Sequence, residues 1–240
     1  MSSVRKNYIL RLVIRCLIFL ACLTLYLTGK GSFGFLEGMN FFKEFSVFHI
    51  LWAVWMMDMI QQIIPMANKL PLGSMKLFAN RFQPNGEKYD QEGLRKYIIT
   101  TTKAAYKVFV LWCGLLAVIG ALYHIGVLDK PMLLLISAAF YVCDLICVLI
   151  WCPFRLMMNT RCCTTCRIFN WDHLMMFSPL IFMGGFFGTS LVIAAFAAWL
   201  LWEISIMMYP ERFWEKTNQA LKCSRCTDKL CTQYCGKKMN

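Results

Sequence analysis

Acid is scarce in this sequence: 13 Asp and Glu stand against 25 Lys and Arg in 240 residues, and charged side chains make up only 16%. A water-soluble domain needs a charged surface, which a chain so poor in charge and 59% hydrophobic does not supply. Recognisable catalytic loops are also missing. There is no Walker A loop, no G-x-G-x-x-G after a strand, no G-x-S-x-G and no H-E-x-x-H. Nucleotide hydrolysis, Rossmann cofactor binding and common serine or zinc hydrolase chemistry therefore lack support, and no residue is singled out as catalytic. No internal repeat or low-complexity stretch occurs, and histidine appears only three times. The apolar run after Arg15 ends in Thr28-Gly29-Lys30-Gly31 without a small-x-small cleavage site, so it reads as an uncleaved first span.

What is present is long apolar runs, 13 cysteines and a formal charge of +12. A helix needs about 20 apolar residues to cross roughly 30 Å of hydrocarbon. Four runs qualify, at about 8–28, 45–64, 104–127 and 131–151, the last two joined by a tight turn at Leu128-Asp129-Lys130. A fifth region, 174–209, is too long for one upright span and barely long enough for two. The expected fold is an all-α polytopic membrane bundle of five to six segments: four clear spans plus a C-terminal helical hairpin or one long tilted helix. The organisation expected is a membrane domain over 1–210, with a basic loop at 65–103 and a Cys-rich loop at 152–172, followed by a basic Cys-rich tail at 211–240.

Positive charge sets the orientation. Arg5, Lys6, Arg11 and Arg15 flank the first span, and the loop between spans two and three carries Lys69, Lys76, Arg81, Lys88, Arg95, Lys96 and Lys103. These place the N-terminus in the cytosol of a cell whose plasma membrane holds the protein. An odd number of spans would strand the basic tail outside. The hairpin is therefore favoured, with its apex at Gly184-Gly185-Phe186-Phe187-Gly188, where glycine permits positive φ. In the 65–103 loop, apolar Leu70, Leu72, Met75, Leu77, Phe78 and Phe82 interleave with Lys69, Lys76 and Arg81, as in a helix lying on anionic headgroups. After the turn signal Gln83-Pro84-Asn85-Gly86, residues 87–107 read as a polar helix running into span three.

Eight cysteines fall in two groups near the end of the chain. Cys223, Cys226, Cys231 and Cys235 form C-x2-C-x4-C-x3-C, a spacing at which a turn aims thiolates at one soft cation. The spacing resembles a zinc knuckle with Cys in place of its His and a last gap shorter by one. It also resembles the end of a bacterial ferredoxin run, though with a middle gap of four and no Pro after Cys235. Zinc or an iron–sulfur cluster is thus the expected cofactor, with Cys152, Cys162, Cys163 and Cys166 as a second candidate ligand group. S-acylation at Cys162-Cys163, or disulfides in an external tail, would account for the same thiols without metal. Cys16, Cys22, Cys113, Cys143 and Cys147 lie within spans and read as small packing residues. A basic tail with one aromatic, Tyr234, is too poor in stacking surface for nucleic acid.

Ionisable groups in hydrocarbon are costly and mark function by default. Asp58, Asp144 and Glu203 each fall about 9–11 Å from the inner boundary, at one depth. Turned inward they would meet beneath the cysteine-rich face, able to bind a cation or relay protons. Alternatively, each makes a single interhelical hydrogen bond. Gln62, Tyr141 and Cys147 flank these acids at helical spacing. His49 and His124, near the outer ends of spans two and three, are the minimum for a bis-His haem and too little to support one. His173 would cap a helix beside Asp172 or complete a cysteine site. The leading expectation is a membrane redox or electron-transfer module with a cytosolic thiolate metal site and a redox partner protein. Its rivals are a cation or small-molecule transporter using the intramembrane carboxylates, and a zinc-stabilised scaffold.

Overall fold

The computed structural model describes residues 3–29, 33–63, 82–86, 90–160, 162, 166–222, 224 and 230, which are all-helical with one isolated bridge, between Pro84 and Asn218. Seven α-helices follow in order: α1 Ser3–Leu27, α2 Phe48–Ile63, α3 Gln91–His124, α4 Lys130–Leu149, α5 Phe154–Met158, α6 Asp172–Phe177 and α7 Gly185–Met208. Four of these, α1, α3, α4 and α7, are long and apolar enough to cross a membrane. Their outward faces are hydrophobic. Leu10, Leu17 and Leu20 on α1, Tyr106 and Val110 on α3, and Ile193 and Phe196 on α7 are all exposed. An exposed apolar surface of that extent belongs against lipid rather than water.

Local chemistry sets the helix ends. The Asp90 carboxylate accepts from the Glu92 backbone N–H and starts α3, which runs unbroken from its polar first turns for about 50 Å. Asp129 accepts from Met132 N at 2.7 Å and caps α4, with Pro131 in its first turn, making the short connection expected at 128–130. Ser46 caps α2, so this helix begins at Phe48 and has 16 residues, about 24 Å and a few ångströms short of the hydrocarbon thickness. Before it, short 3₁₀ turns at Gly34–Leu36 and Asn40–Phe42 fold over the start of α7.

The 174–209 region forms a hairpin with unequal arms. The first arm is α6 followed by a 3₁₀ stretch, Ser178–Phe182, together reaching roughly 20 Å. Pro179 causes the change of helix type: it has no N–H for the Met175 carbonyl, and the Ser178 hydroxyl donates to that oxygen instead. The chain reverses at Gly184 and Gly185, whose φ values are +65° and +69°. Gly188, expected in the apex, instead lies inside α7, where a Cβ would sit 2.9 Å from the Leu180 carbonyl.

The core surrounds Trp55 of α2, which meets Phe177 of α6 at 5.0 Å, Tyr141 of α4 at 5.9 Å and Phe187 of α7 at 6.3 Å between ring centroids. A second apolar cluster joins Val108 of α3, Met158 of α5, Trp202 of α7 and the segment after α7 through Phe213 and Leu221. That segment also bonds α3 and the stretch before it: Gln219 N–H donates to Gln83 O at 2.8 Å, and the Tyr97 hydroxyl of α3 to Phe213 O at 3.1 Å. The start of α1 packs against the end of α4 through Tyr8, Leu145 and Leu149. Of the amphipathic stretch expected between Lys69 and Phe82 in the 65–103 loop, all but Phe82 lies outside the described residues.

Candidate functional site

Arg15 sits twelve residues into α1, about 18 Å from its first residue, and is buried. A guanidinium at that depth needs counter-charges, and two helices supply them. Its Nη1 donates to Asp144 Oδ2 and to the Tyr141 carbonyl, both at 2.7 Å, and Nη2 lies 3.7 Å from Asp58 Oδ2. The guanidinium carbon also stands 3.8 Å over the Tyr141 ring, whose hydroxyl donates to Asp58 Oδ2 at 2.5 Å. Spacing explains the convergence. Tyr141 and Asp144 are one turn apart on α4, and Asp58 and Gln62 one turn apart on α2. Gln62 Nε2 then reaches Asp172 Oδ2 at 3.2 Å, and His173 Nδ1 lies 3.0 Å from Asp172 Oδ1. A small polar cavity is lined by Arg11, Arg15, Asp58, Gln62, Asp144, Asp172 and His173.

Of the three acids expected to meet, Asp58 and Asp144 do so, through Arg15. Glu203 does not. It accepts a bidentate pair from Arg167, at 2.7 and 2.5 Å, and a third bond from Trp171 Nε1 at 2.8 Å. Trp202 Nε1 holds the Arg167 carbonyl at 2.9 Å. This second ion pair clamps the cysteine loop to α7 and leaves Glu203 fully engaged.

Beside the Arg15 cluster lies a larger cavity of about 120 Å³ with predominantly apolar walls from Trp112, Phe140, Phe154, Phe169, Met175 and Met176. Four cysteines line it: Cys143, Cys147, Cys152 and Cys166. The end of α4 brings two of them together. Trp151 N–H donates five residues back, to Ile146 O at 3.1 Å, so the last turn widens. Pro153 then turns the chain into α5, so Cys152 follows Cys147 by one widened turn and both line the same cavity. Asp144, Asp172, Arg155 and Thr160 are the polar lining. Asp144, Val148, Phe169 and Asp172 border both cavities, so the sulfurs and the ionic cluster adjoin. Cys166, in the loop before α6, is buried, and loss of hydration pushes its thiol up to about 11.

Cys152 and Cys166 of the second cysteine group thus share a site with Cys143 and Cys147, which the sequence presents as packing residues. Cys162 is half-buried outside that lining, and Cys163 lies outside the described residues. So do Cys223, Cys226, Cys231 and Cys235. Among the described residues, no group of three or more His, Cys, Asp or Glu side chains is arranged to hold a metal ion. His49 is 2.7 Å from the Phe41 carbonyl oxygen and packed among phenylalanines, whereas His124 packs on Tyr123 and Phe182.

Arg15 reads from the sequence only as a flanking charge, and His173 beside Asp172 only as a cap or a member of a cysteine site, not as part of the carboxylate cluster. Arg15 counts as a flanking charge only if the hydrocarbon run begins after it; it lies within the 8–28 span, and its side chain is buried against α2 and α4. An arginine followed by an apolar run, with unpartnered acids in other spans, is the signal that points to it. Comparison with protein-family models, curated proteins and solved structures returns no match.

Proposed function

We propose that the chain is a multi-pass membrane redox module, in which the cavity thiols exchange electrons and the adjoining carboxylates handle the accompanying protons. One observation carries this reading: Cys143, Cys147, Cys152 and Cys166 line a single aromatic-walled cavity that shares Asp144 and Asp172 with a buried ionic cluster. A thiol oxidised away from water must give its proton to a neighbouring group, and carboxylates at the cavity wall provide acceptors. Transport of a cation by Asp58 and Asp144 is less well supported, because a resident guanidinium already occupies them.

In this reading the short hairpin arm is a sixth, partial membrane segment. The N-terminus and the basic tail then face the cytosol across the plasma membrane, with the basic loop on anionic headgroups. Cys223, Cys226, Cys231 and Cys235 are the first candidates to hold a metal: zinc would fold the tail, and an iron–sulfur cluster would pass electrons from a cytosolic partner protein. Redox titration of the detergent-solubilised protein, with thiols counted by alkylation and mass measurement, tests the reading. A reversible two-electron step in which cavity cysteines lose and regain reactivity supports it. Cavity thiols that remain alkylatable at every potential overturn it.

A further inference from the structure

We infer that Cys147 and Cys152 form a dithiol–disulfide couple that reduces the ring of a lipid quinone bound in the thiol-lined cavity. The inference rests on the redox reading above and names its substrate class. Three features select a quinone. The cavity, at about 120 Å³, is on the scale of one six-membered ring, since apolar cavities of roughly 150 Å³ take up benzene. The walls are aromatic and thioether groups, suited to the faces of a flat ring, and Asp144, Asp172, Thr160 and Arg155 supply polar edges. The cavity wall also includes Cys143, which is exposed on the outer side of α4, a helix apolar enough to lie in lipid. A substrate dissolved in the bilayer, with its tail left in the lipid, enters from that side.

The chemistry balances without another reactant. Cys147–SH, Cys152–SH and quinone give the Cys147–Cys152 disulfide and hydroquinone. Two S–H bonds break, one S–S bond forms, and two electrons and two protons pass to the two quinone oxygens. The Trp151 N–H to Ile146 O bond sets Cys152 one widened turn after Cys147, and both line the one cavity, so disulfide formation needs only a local adjustment at the end of α4. Asp144 and Asp172 line the cavity with the sulfurs and carry the protons from sulfur to oxygen.

The test uses the full chain in lipid nanodiscs, reduced, freed of reductant and kept anaerobic. The probe is a fully substituted benzoquinone with a short isoprenoid tail, which accepts electrons but offers no ring position for thiol addition. The expected result is one equivalent of hydroquinone per protein, with a Cys147–Cys152 linkage found by peptide mass mapping of the wild-type chain. Cys147→Ser and Cys152→Ser lose quinol formation, whereas Cys113→Ser, on the exposed face of α3, keeps it. Because mapping is done on the wild type, misfolding of a serine variant does not obscure the answer. If diamide forms the Cys147–Cys152 disulfide but the quinone does not, the quinone inference is overturned and the redox reading stands. If neither oxidant links cavity cysteines, both fall.

Discussion

Replacing Arg15 with Met removes the only guanidinium within reach of Asp58 and Asp144 among the described contacts, while roughly preserving side-chain volume. Arg15 donates to Asp144 Oδ2 and the Tyr141 carbonyl at 2.7 Å, so the variant loses two short bonds and the Tyr141 cation–π contact together. The larger effect is on what remains: two neighbouring, largely buried carboxylates that have lost the guanidinium paired with them. Breaking one side of a buried ion pair costs about 3–5 kcal/mol. For a chain of this size that corresponds to a fall in Tm of roughly 6–20 °C. Thermal unfolding in detergent, followed by circular dichroism, measures it. The triple variant Arg15→Met, Asp58→Asn, Asp144→Asn removes the orphaned charges as well and recovers at least about 1.5 kcal/mol of that loss, since groups in one network are strongly non-additive. A Tm for Arg15→Met within 2 °C or so of wild type, about 1 kcal/mol at most, would refute the buried network, because Arg15 would then be reaching solvent.

Other consequences are as direct. Glu203→Gln breaks the bidentate bond to Arg167 that clamps the cysteine loop, costing on the order of 3 kcal/mol, and Cys166 becomes alkylated faster in the folded protein. With its thiol pushed up to about 11, only about one part in a thousand of Cys166 is thiolate at pH 8, so its alkylation by iodoacetamide is slow there and climbs about tenfold per pH unit. The sign for stability follows: burial favours the protonated thiol, so its contribution is complete below the unfolded value near 8.5 and is lost as pH rises through about 11. Pulsed alkylation with mass detection reads the rate, and denaturant melts between pH 8 and 11 read the stability. Gly185→Ala places a Cβ 2.5 Å from the Leu36 carbonyl at a φ of +69°, and lowers stability by about 1–3 kcal/mol in the same melts.

Much of the fold is legible in the sequence because hydropathy and capping are local. The apolar runs at 8–28, 104–127 and 131–151 each fall largely within a long helix. Asp129 and Pro131 announce the start of α4, and the paired Gly184 and Gly185 mark the reversal of the hairpin. The unequal arms are less legible, because a proline in an apolar segment looks the same whether it kinks a full span or shortens a partial one. The site was half legible. Asp58 and Asp144 stand out as acids in hydrocarbon, but which helix faces which is a property of packing, and the same depth argument placed Glu203 with them although Arg167 holds it elsewhere. Cys143 and Cys147 were illegible as cavity residues for a chemical reason. A buried thiol has the size and polarity of a packing residue, and only the turn after α4 shows that Cys152 shares a cavity with Cys147.

Linkage mapping of the oxidised protein shows whether the cavity cysteines constitute a redox site. Wild-type protein is equilibrated in thiol–disulfide buffers of increasing potential, quenched with acid, and digested for mass spectrometry. The account predicts that a Cys147–Cys152 linkage appears first, in one reversible step, and disappears on reduction. Oxidation confined to cysteines outside the cavity, with Cys147 and Cys152 recovered as thiols throughout, would contradict it.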